Sequence, residues 1–338
     1  MIEAQADAER KPVAQPGRFA GLAALADRLG VHNLSLIGAL FILVIIFGSL
    51  RPDAFFSMRN VVNVGLAITI LGVLAMSQTV VIIAGGLDIS VGSVVGLTTV
   101  STALAIGATG DATAGVLAGI AVGAVAGLGN GLIITIGRVN AVIATLGTMA
   151  IFRGVAFIVS NGQSISIFHE GFRGLGTGTL LGVPILIWAL FVAAIGFHVF
   201  LAHSIVGRNV YALGGNPVVA RFAGIDLTRY RLGIYVMSGA VAGLAGVFLA
   251  ARTGSGQPVS GSQGLELEAI TAAVLGGCAL QGGRGTIVGA LLGVLIIGVL
   301  NNGMILTSVP TFYQLLAKGA LLILAVIVAE RRLAQDAH

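Results

Sequence analysis

Long stretches without a charged side chain constrain this chain more than any other feature. Four of them cover residues 61–87, 89–110, 112–137 and 232–251. Each is long enough to cross the apolar core of a bilayer, which takes about 20 helical residues. The composition agrees, because 57% of the residues are hydrophobic and only 9% are charged, against roughly 25% charged in soluble domains. An ordinary soluble enzyme is therefore excluded.

Ten apolar segments predict an all-α polytopic membrane protein with about ten transmembrane helices. The segments lie near residues 33–50, 61–84, 90–108, 112–136, 140–160, 179–201, 232–251, 267–281, 286–304 and 311–329. No small-residue cleavage site follows the first segment, so it is predicted to be an uncleaved span rather than a signal peptide. Residues 1–32 and 330–338 are predicted to be the N-terminal and C-terminal tails of a transmembrane domain at 33–329.

Basic residues are unevenly distributed between the two sides that these spans define. With the N-terminus inside, four lie on the outer side, namely Arg51, Arg59, Arg173 and Arg252. Twelve lie on the inner side, namely Arg10, Lys11, Arg18, Arg28, Arg138, Arg208, Arg221, Arg229, Arg231, Arg284, Arg331 and Arg332. This excess follows the positive-inside rule and places both termini in the cytoplasm. The net charge of +5 is then explained by orientation, and no nucleic-acid partner is needed.

The sequence also contains two related halves. GLDIS at Gly86–Ser90 recurs loosely as GLELE at Gly264–Glu268, and GLGNGLIIT at Gly127–Thr135 recurs as VLNNGMILT at Val299–Thr307. Chance similarity among small apolar residues is the alternative explanation. The matching order of the two pairs favours duplication.

The number of spans in each half predicts how the halves are related. Five of the predicted spans precede residue 161 and five follow it, and an odd number forces the second half to be inserted upside down. We therefore expect two inverted five-helix repeats, at 33–160 and 179–329. The span 112–136 also carries glycines at four-residue spacing, which predicts that another helix backbone packs closely along one face.

Polar residues near the first helix break are candidates for a translocation pathway. Asp88 is the only acidic residue between Asp53 and Asp111, and a charge between two apolar spans is costly and usually functional. In that interpretation Asp88 and Gln78 offer hydrogen bonds to a solute. Asp88 and Ser90 are equally suited to cap the helix that follows, which is the structural alternative.

Equivalent positions in the two halves extend this set. Asn130 and Asn302 lie inside spans related by the repeat, and they either line the pathway or join neighbouring helices by hydrogen bonds. Glu266 and Glu268 lie in the segment of the second half that matches the one around Asp88, and this segment is predicted to lie near the outer side. They either contact a binding protein or cap a helix. Lys318, inside the last span, is expected to snorkel or to face a wet cavity.

A short helix is predicted within the cytoplasmic connection at 202–231. Proline suits the first turn of a helix, and Asn216 can cap a helix that begins at Pro217. An apolar face and a terminating glycine would follow, formed by Val218, Val219, Phe222 and Gly224. Such a helix would offer an apolar knob to a groove in a partner. A loop that only covers its own helix bundle is the alternative.

Three stretches resemble the permease subunits of bacterial monosaccharide ABC importers of the ribose, xylose and arabinose type. They are GGLDISVGS at Gly85–Ser93, GRNVYALGGNPVVARFAGI at Gly207–Ile225 and LEAITAAVLGGCALQGGRGT at Leu267–Thr286. The resemblance implies an inner-membrane protein that pairs with a second permease copy or homologue. It also implies cytoplasmic ATPase subunits that bind ATP and Mg²⁺ and dock on the short helix, and a periplasmic binding protein that delivers a monosaccharide or polyol.

The chain itself has no sequence for ATP hydrolysis. A P-loop needs Gly-Lys followed by Ser or Thr, whereas Lys11 precedes a proline and Lys318 precedes a glycine. We therefore expect a transport subunit that is not an enzyme and that holds no cofactor of its own. One cysteine and five scattered histidines argue against a disulfide or a metal site. The alternative function is a stand-alone, ion-coupled secondary transporter with Asp88 as its ion site.

Overall fold

The computed structural model describes the backbone of residues 20–336 and the side chains of residues 33–331. Helices make up most of this range, namely α1 (Ala20–Leu50), α2 (Pro52–Phe55), α3 (Met58–Ile83), α4 (Val91–Thr109), α5 (Ala112–Thr135), α6 (Ala141–Ser160), α7 (Glu170–Thr177), α8 (Ile185–His203), α9 (Ile205–Gly215), α10 (Pro217–Phe222), α11 (Leu227–Thr253), α12 (Leu265–Leu275), α13 (Ile287–Leu306) and α14 (Thr311–Asp336). Two antiparallel strand pairs complete it. In one, β1 (Ile165–Ser166) pairs with β4 (Ser255–Gly256), and in the other, β2 (Thr179–Leu180) pairs with β3 (Val183–Pro184).

Within the described residues, nine helices are long and apolar enough to cross a bilayer. They are α3, α4, α5, α6, α8, α11 and α13, with residues 33–50 of α1 and 311–331 of α14. This confirms an all-α polytopic membrane protein. The first and last helices extend into the segments predicted to be tails, since α1 begins at Ala20 and α14 ends at Asp336. The rest of those tails, 1–19 and 337–338, lies outside the described residues.

The eighth predicted span, 267–281, is wrong as a continuous helix. Its helix, α12, has 11 residues, which at 1.5 Å per residue makes about 17 Å, roughly half of a bilayer core. The helix ends at a glycine pair, and Gly277 has a φ of +95°, which glycine adopts without strain. The irregular segment that follows is held by the protein, because the Gly283 amide donates to the Ile83 carbonyl at 2.8 Å. Contacts of this kind satisfy backbone groups that a helix would otherwise pair.

The predicted glycine face of α5 packs directly against α11. A Cβ atom on Gly123 would overlap the Gly239 carbonyl oxygen and lie 2.8 Å from the Gly243 Cα. A Cβ on Gly127 would overlap the carbonyl of Tyr235. The two backbones are therefore in contact, and the glycines of both helices permit that approach.

Helix packing repeats between the two halves of the chain. Helices α3, α4, α5 and α6 of the first half correspond in order to α11, α12, α13 and α14 of the second. The contact of α5 with α11 corresponds to that of α13 with α3, and the contact of α4 with α11 to that of α12 with α3. The contact of α6 with α4 corresponds to that of α14 with α12. Exchanging α3–α6 with α11–α14 therefore reproduces these contacts, which supports duplication. The first helix of each half departs from the scheme, since α1 packs on α13 and α8 packs on α3. The opposite orientation of the halves in a membrane stays a prediction.

Candidate functional site

A buried polar cluster lies in the link between α3 and α4. Asp88 is 1% exposed, and its Oδ1 accepts from the Ser90 amide at 3.1 Å and from the Ser90 hydroxyl at 2.7 Å. Its Oδ2 accepts from the Ser238 hydroxyl of α11 at 2.8 Å. Asn130 of α5 donates to the Ser90 Oγ at 2.8 Å. The carboxylate and its partners therefore connect the start of α4 to α5 and α11.

Asp88 and Ser90, both predicted to cap α4, contact the start of this helix in different ways. Asp88 accepts from the backbone two residues later, which is the geometry of an Asx turn. Ser90 occupies the N-cap position of α4, but its side chain accepts from no backbone amide of the first turn. The reason is that its hydroxyl donates to Asp88 and accepts from Asn130.

Two more side chains hold the backbone of the link. Gln78 donates from its Nε2 to the Asp88 carbonyl at 3.0 Å, and the Tyr235 hydroxyl donates to the Leu87 carbonyl at 3.2 Å. Gln78 thus contacts the backbone of Asp88 and not its carboxylate. Among the described residues, Gln78 Oε1 and Asn130 Oδ1 are buried without a hydrogen-bond partner. The structure therefore brings four of the predicted pathway residues together in one closed cluster.

The fifth predicted pathway residue, Asn302, makes its contacts elsewhere. Its Nδ2 donates to Asn60 Oδ1 at 2.8 Å, and the Asn60 Nδ2 donates back to Asn302 Oδ1 at 3.0 Å. This reciprocal amide pair joins α13 to the start of α3, which is the interhelical role expected as an alternative. Contact of Asn302 with a solute stays a prediction.

A second polar cluster lies between α12, α13 and α14. The Lys318 Nζ donates to Glu268 Oε1 at 2.6 Å, and the Asn301 Nδ2 donates to Glu268 Oε2 at 3.3 Å. The pair is partly accessible, with 31% of the Lys318 side chain and 15% of the Glu268 side chain exposed. Lys318 therefore forms an ion pair beside a cavity, and contact of this pair with water stays a prediction.

The two predicted contacts of a binding protein have different environments. Glu268 is held in the ion pair just described, whereas Glu266 is 6% exposed and its Oε2 has no partner among the described residues. Glu266 lies against α4, where a Cβ on Gly92 would overlap its carboxylate. Contact with a binding protein stays a prediction for both residues.

The short helix predicted within residues 202–231 has the expected form. The Asn216 Oδ1 accepts from the amides of Val218 and Val219, each at 3.1 Å, and Pro217 is the first residue of α10. The three apolar side chains are exposed, with Phe222 reaching 89%. Only Ala220 faces the protein, where it is buried.

The end of α10 forms a Schellman motif. The Ile225 amide donates to the Ala220 carbonyl at 3.1 Å, and the Gly224 amide donates to the Arg221 carbonyl at 3.0 Å. Gly224 has a φ of +81°, as the residue after a helix in this motif requires. The apolar knob is therefore fixed by a cap at each end.

A cavity of about 860 Å³ adjoins both α10 and the link that carries Asp88. Three guanidinium groups line it, from Arg138, Arg221 and Arg231, and no acidic residue does. Gly86 and Tyr235 also line it, so Tyr235 contacts both the cavity and the backbone of the buried cluster. In the predicted orientation this cavity opens to the cytoplasm.

Two residues that were not predicted, Tyr235 and Ser238, complete the buried cluster. Ser238 and Tyr235 are the only hydroxyl side chains in the segment 232–251. They are three residues apart and so share one helix face. That spacing was the available signal, but nothing in the local pattern indicated that their partner would be Asp88, which is 150 residues away.

Comparison with known proteins identifies the family. A family model described as a branched-chain amino acid transport system permease component matches residues 60–326. The chain is 39% identical over 321 residues to the L-arabinose ABC transporter permease protein AraH of Azospirillum brasilense, covering 94% of each chain. It is 39% identical over 298 residues to the ribose import permease protein RbsC of Escherichia coli K12, covering 87% of this chain and 92% of that one. It is 41% identical over 295 residues to RbsC of Bacillus subtilis, covering 87% and 91%.

No solved structure was found that matches the chain. The family model covers well over half of the sequence, and the relatives align along nearly their whole length. The buried cluster around Asp88 and the capped helix α10 both lie within residues 60–326, which the family model matches. The chain is therefore a multi-pass membrane protein that belongs to this family of transport-system permeases.

Proposed function

We propose that this chain is the permease subunit of an ATP-binding-cassette importer that carries a monosaccharide across the bacterial inner membrane. One observation carries the proposal: relatives named for import of ribose, L-arabinose and D-allose are 36–41% identical and align over 85–94% of this chain. Similarity over such a length includes the helix bundle and its connections, not one shared motif.

The exposed helix α10 supports an ATPase partner. Three apolar side chains on one capped turn, Val218, Val219 and Phe222, are exposed in the protein, and apolar knobs of this kind are typical of a protein interface. Separate ATPase subunits would bind ATP and Mg²⁺, a binding protein would deliver the solute, and a second permease copy or homologue would complete the pore. Both termini would lie in the cytoplasm.

A monosaccharide is favoured over a branched-chain amino acid as the solute. The matching family model carries an amino-acid description, whereas relatives that align over 85–94% of this chain are named as L-arabinose, ribose and D-allose permeases. The two solute classes can be separated directly. The permease would be purified in lipid nanodiscs with its candidate ATPase and binding protein, and ATP hydrolysis would be measured.

Binding protein loaded with D-ribose, L-arabinose, D-allose or L-leucine would be added in turn. We expect one of the sugars to raise ATP hydrolysis several-fold, and leucine to have no effect. Stimulation by leucine alone would contradict the proposed solute. Failure of the three components to assemble would contradict the proposed importer.

A further inference from the structure

Five polar side chains line a cavity of about 150 Å³ between α12, α13 and α14. Glu268, Asn301 and Lys318 provide a carboxylate, an amide and an ammonium group, and Gln263 and Thr271 add a second amide and a hydroxyl group. The rest of the lining consists of glycine, isoleucine and leucine residues. A water molecule takes up about 30 Å³ in the liquid. The cavity therefore has room for roughly five waters or for one small polar solute.

The contacts of this cluster distinguish it from the closed cluster around Asp88. Asp88 accepts from Ser90 and Ser238 and is 1% exposed. Glu268 and Lys318 instead keep part of their surface accessible at the cavity. An ion pair that served only to join two helices would not need to keep part of its surface accessible at a cavity.

The chemistry of the cluster suits a neutral solute with several hydroxyl groups. The carboxylate accepts hydrogen bonds, the ammonium and the amide nitrogen donate them, and hydroxyl groups do both. Because the carboxylate and the ammonium neutralise each other, the cavity has no net charge to attract an ion. The leucines offer an apolar surface to the C–H face of a sugar ring.

From these observations we propose that Glu268, Asn301 and Lys318 form a hydroxyl-binding site for the transported solute, within the outer half of the translocation pathway. This proposal rests on the proposed function for the solute class. Ionisable groups inside membrane segments face a partner or a water-filled path, and here the cavity supplies that path. With the N-terminus inside, the cluster lies within two turns or so of the outer ends of α13 and α14.

The accessibility of the site can be tested without measuring transport. Asn301→Cys would be made in a Cys278→Ala background, with Ile323→Cys as the control because Ile323 is 62% exposed on the same helix as Lys318 and is expected to face lipid. A charged methanethiosulfonate reagent reacts with thiols in water and not with thiols in lipid. We expect the Asn301→Cys protein to react, and saturating D-ribose or L-arabinose in the assembled importer to slow the reaction at least threefold. The Ile323→Cys protein should not react.

Each result separates this site from the proposed function. No reaction at Asn301→Cys, or no protection by the sugar that the wild-type importer transports, would overturn the site and leave the proposed function standing. Protection by L-leucine and by no sugar would overturn both.

Uptake measurements test whether the ion pair contacts solute or only joins α12 to α14. Glu268→Gln and Lys318→Met should each reduce ATP-driven uptake about tenfold, while Tyr313→Phe on the exposed face of α14 should leave it unchanged. The exchanged pair, Glu268→Lys with Lys318→Glu, keeps an ion pair but inverts its donors and acceptors. We expect the exchanged pair to have the membrane level and ATPase association of the wild type but not its uptake. Recovery of wild-type uptake would show a structural pair and overturn the proposal, as would wild-type uptake in both single variants.

Discussion

Asp88 brings an acidic group into an apolar helix bundle, and its neighbours compensate for its burial. Four hydrogen-bond donors lie within 3.5 Å of its two carboxylate oxygens, from Ser90, Asn130 and Ser238. Hydrogen bonds to a charged group contribute about 1.5–3 kcal/mol each, and an unpaired buried acceptor costs about as much. The cluster should therefore stabilise the junction of α4, α5 and α11.

We expect Ser238→Ala to destabilise the protein, because it removes the donor to Asp88 Oδ2. The expected loss is about 1–3 kcal/mol in the free energy of unfolding, measured as a lower thermal midpoint in detergent. Ser101→Ala is the matched control, since the Ser101 hydroxyl donates only to the Leu97 carbonyl of its own helix. Combining Ser238→Ala with Asp88→Asn should cost less than the sum of the two single changes. Equal midpoints for Ser238→Ala and Ser101→Ala would show that the bond to Asp88 contributes nothing.

The sequence predicted the members of this cluster better than their contacts. Asp88, Gln78 and Asn130 are conspicuous because acids and amides are rare within these apolar segments, and Ser90 is conspicuous because it stands where a helix begins. Their partners depend on how distant helices pack, and a local pattern carries no information on that. For the same reason Asn302, the repeat equivalent of Asn130, pairs with Asn60 rather than with an acid.

Among the individual elements, α10 is the one whose sequence predicted its structure most completely. Asparagine, proline and glycine have specific roles at helix ends, so Asn216, Pro217 and Gly224 determined both ends of the helix. The span over α12 was mispredicted for the opposite reason. Hydropathy over 267–281 is continuous, and the glycine pair that ends the helix at residue 275 does not interrupt it.

Replacing Val219 or Phe222 by Asp should weaken binding of the ATPase by 2 kcal/mol or more, about thirtyfold, because exposed apolar knobs tend to dominate an interface. Both side chains are exposed, so insertion and folding should be spared. Co-purification of the ATPase and the membrane level of the permease would be measured together. Arg229→Gln is the control on the same connection. Full ATPase association in both Asp variants would favour the alternative that this loop only covers its own bundle.

The close contact between α5 and α11 predicts which glycines of α5 can be replaced by alanine without loss of stability. Gly123→Ala should destabilise the protein by about 1–3 kcal/mol, since the added methyl group overlaps the Gly239 carbonyl and the helices must separate. Gly129→Ala on the same helix has no heavy atom within 4 Å of the new Cβ. That change should be neutral or should stabilise the helix by up to about 1 kcal/mol. Thermal midpoints that are equal for the two variants would contradict the close packing.

At the scale of the whole molecule, the fold consists of two similarly packed sets of helices, and the basic residues predict how they lie in the membrane. In a Cys278→Ala background, Leu181→Cys should react with a membrane-impermeant maleimide from the periplasm, because Leu181 lies in the outer connection and is 85% exposed. Ala223→Cys, next to α10, should react only after the cells are opened. Tags at Met1 and His338 should both be reachable from the cytoplasm. A periplasmic C-terminus would contradict the inverted repeat.

The central claim is that this chain moves a sugar with energy from ATP hydrolysed by a partner. The most direct measurement is uptake of the radiolabelled sugar into proteoliposomes that contain the permease, its ATPase and the loaded binding protein. Uptake should require ATP on the ATPase side and should persist when ionophores collapse the proton and sodium gradients. Uptake by the permease alone, driven by such a gradient and independent of ATP, would contradict the account and favour an ion-coupled secondary transporter.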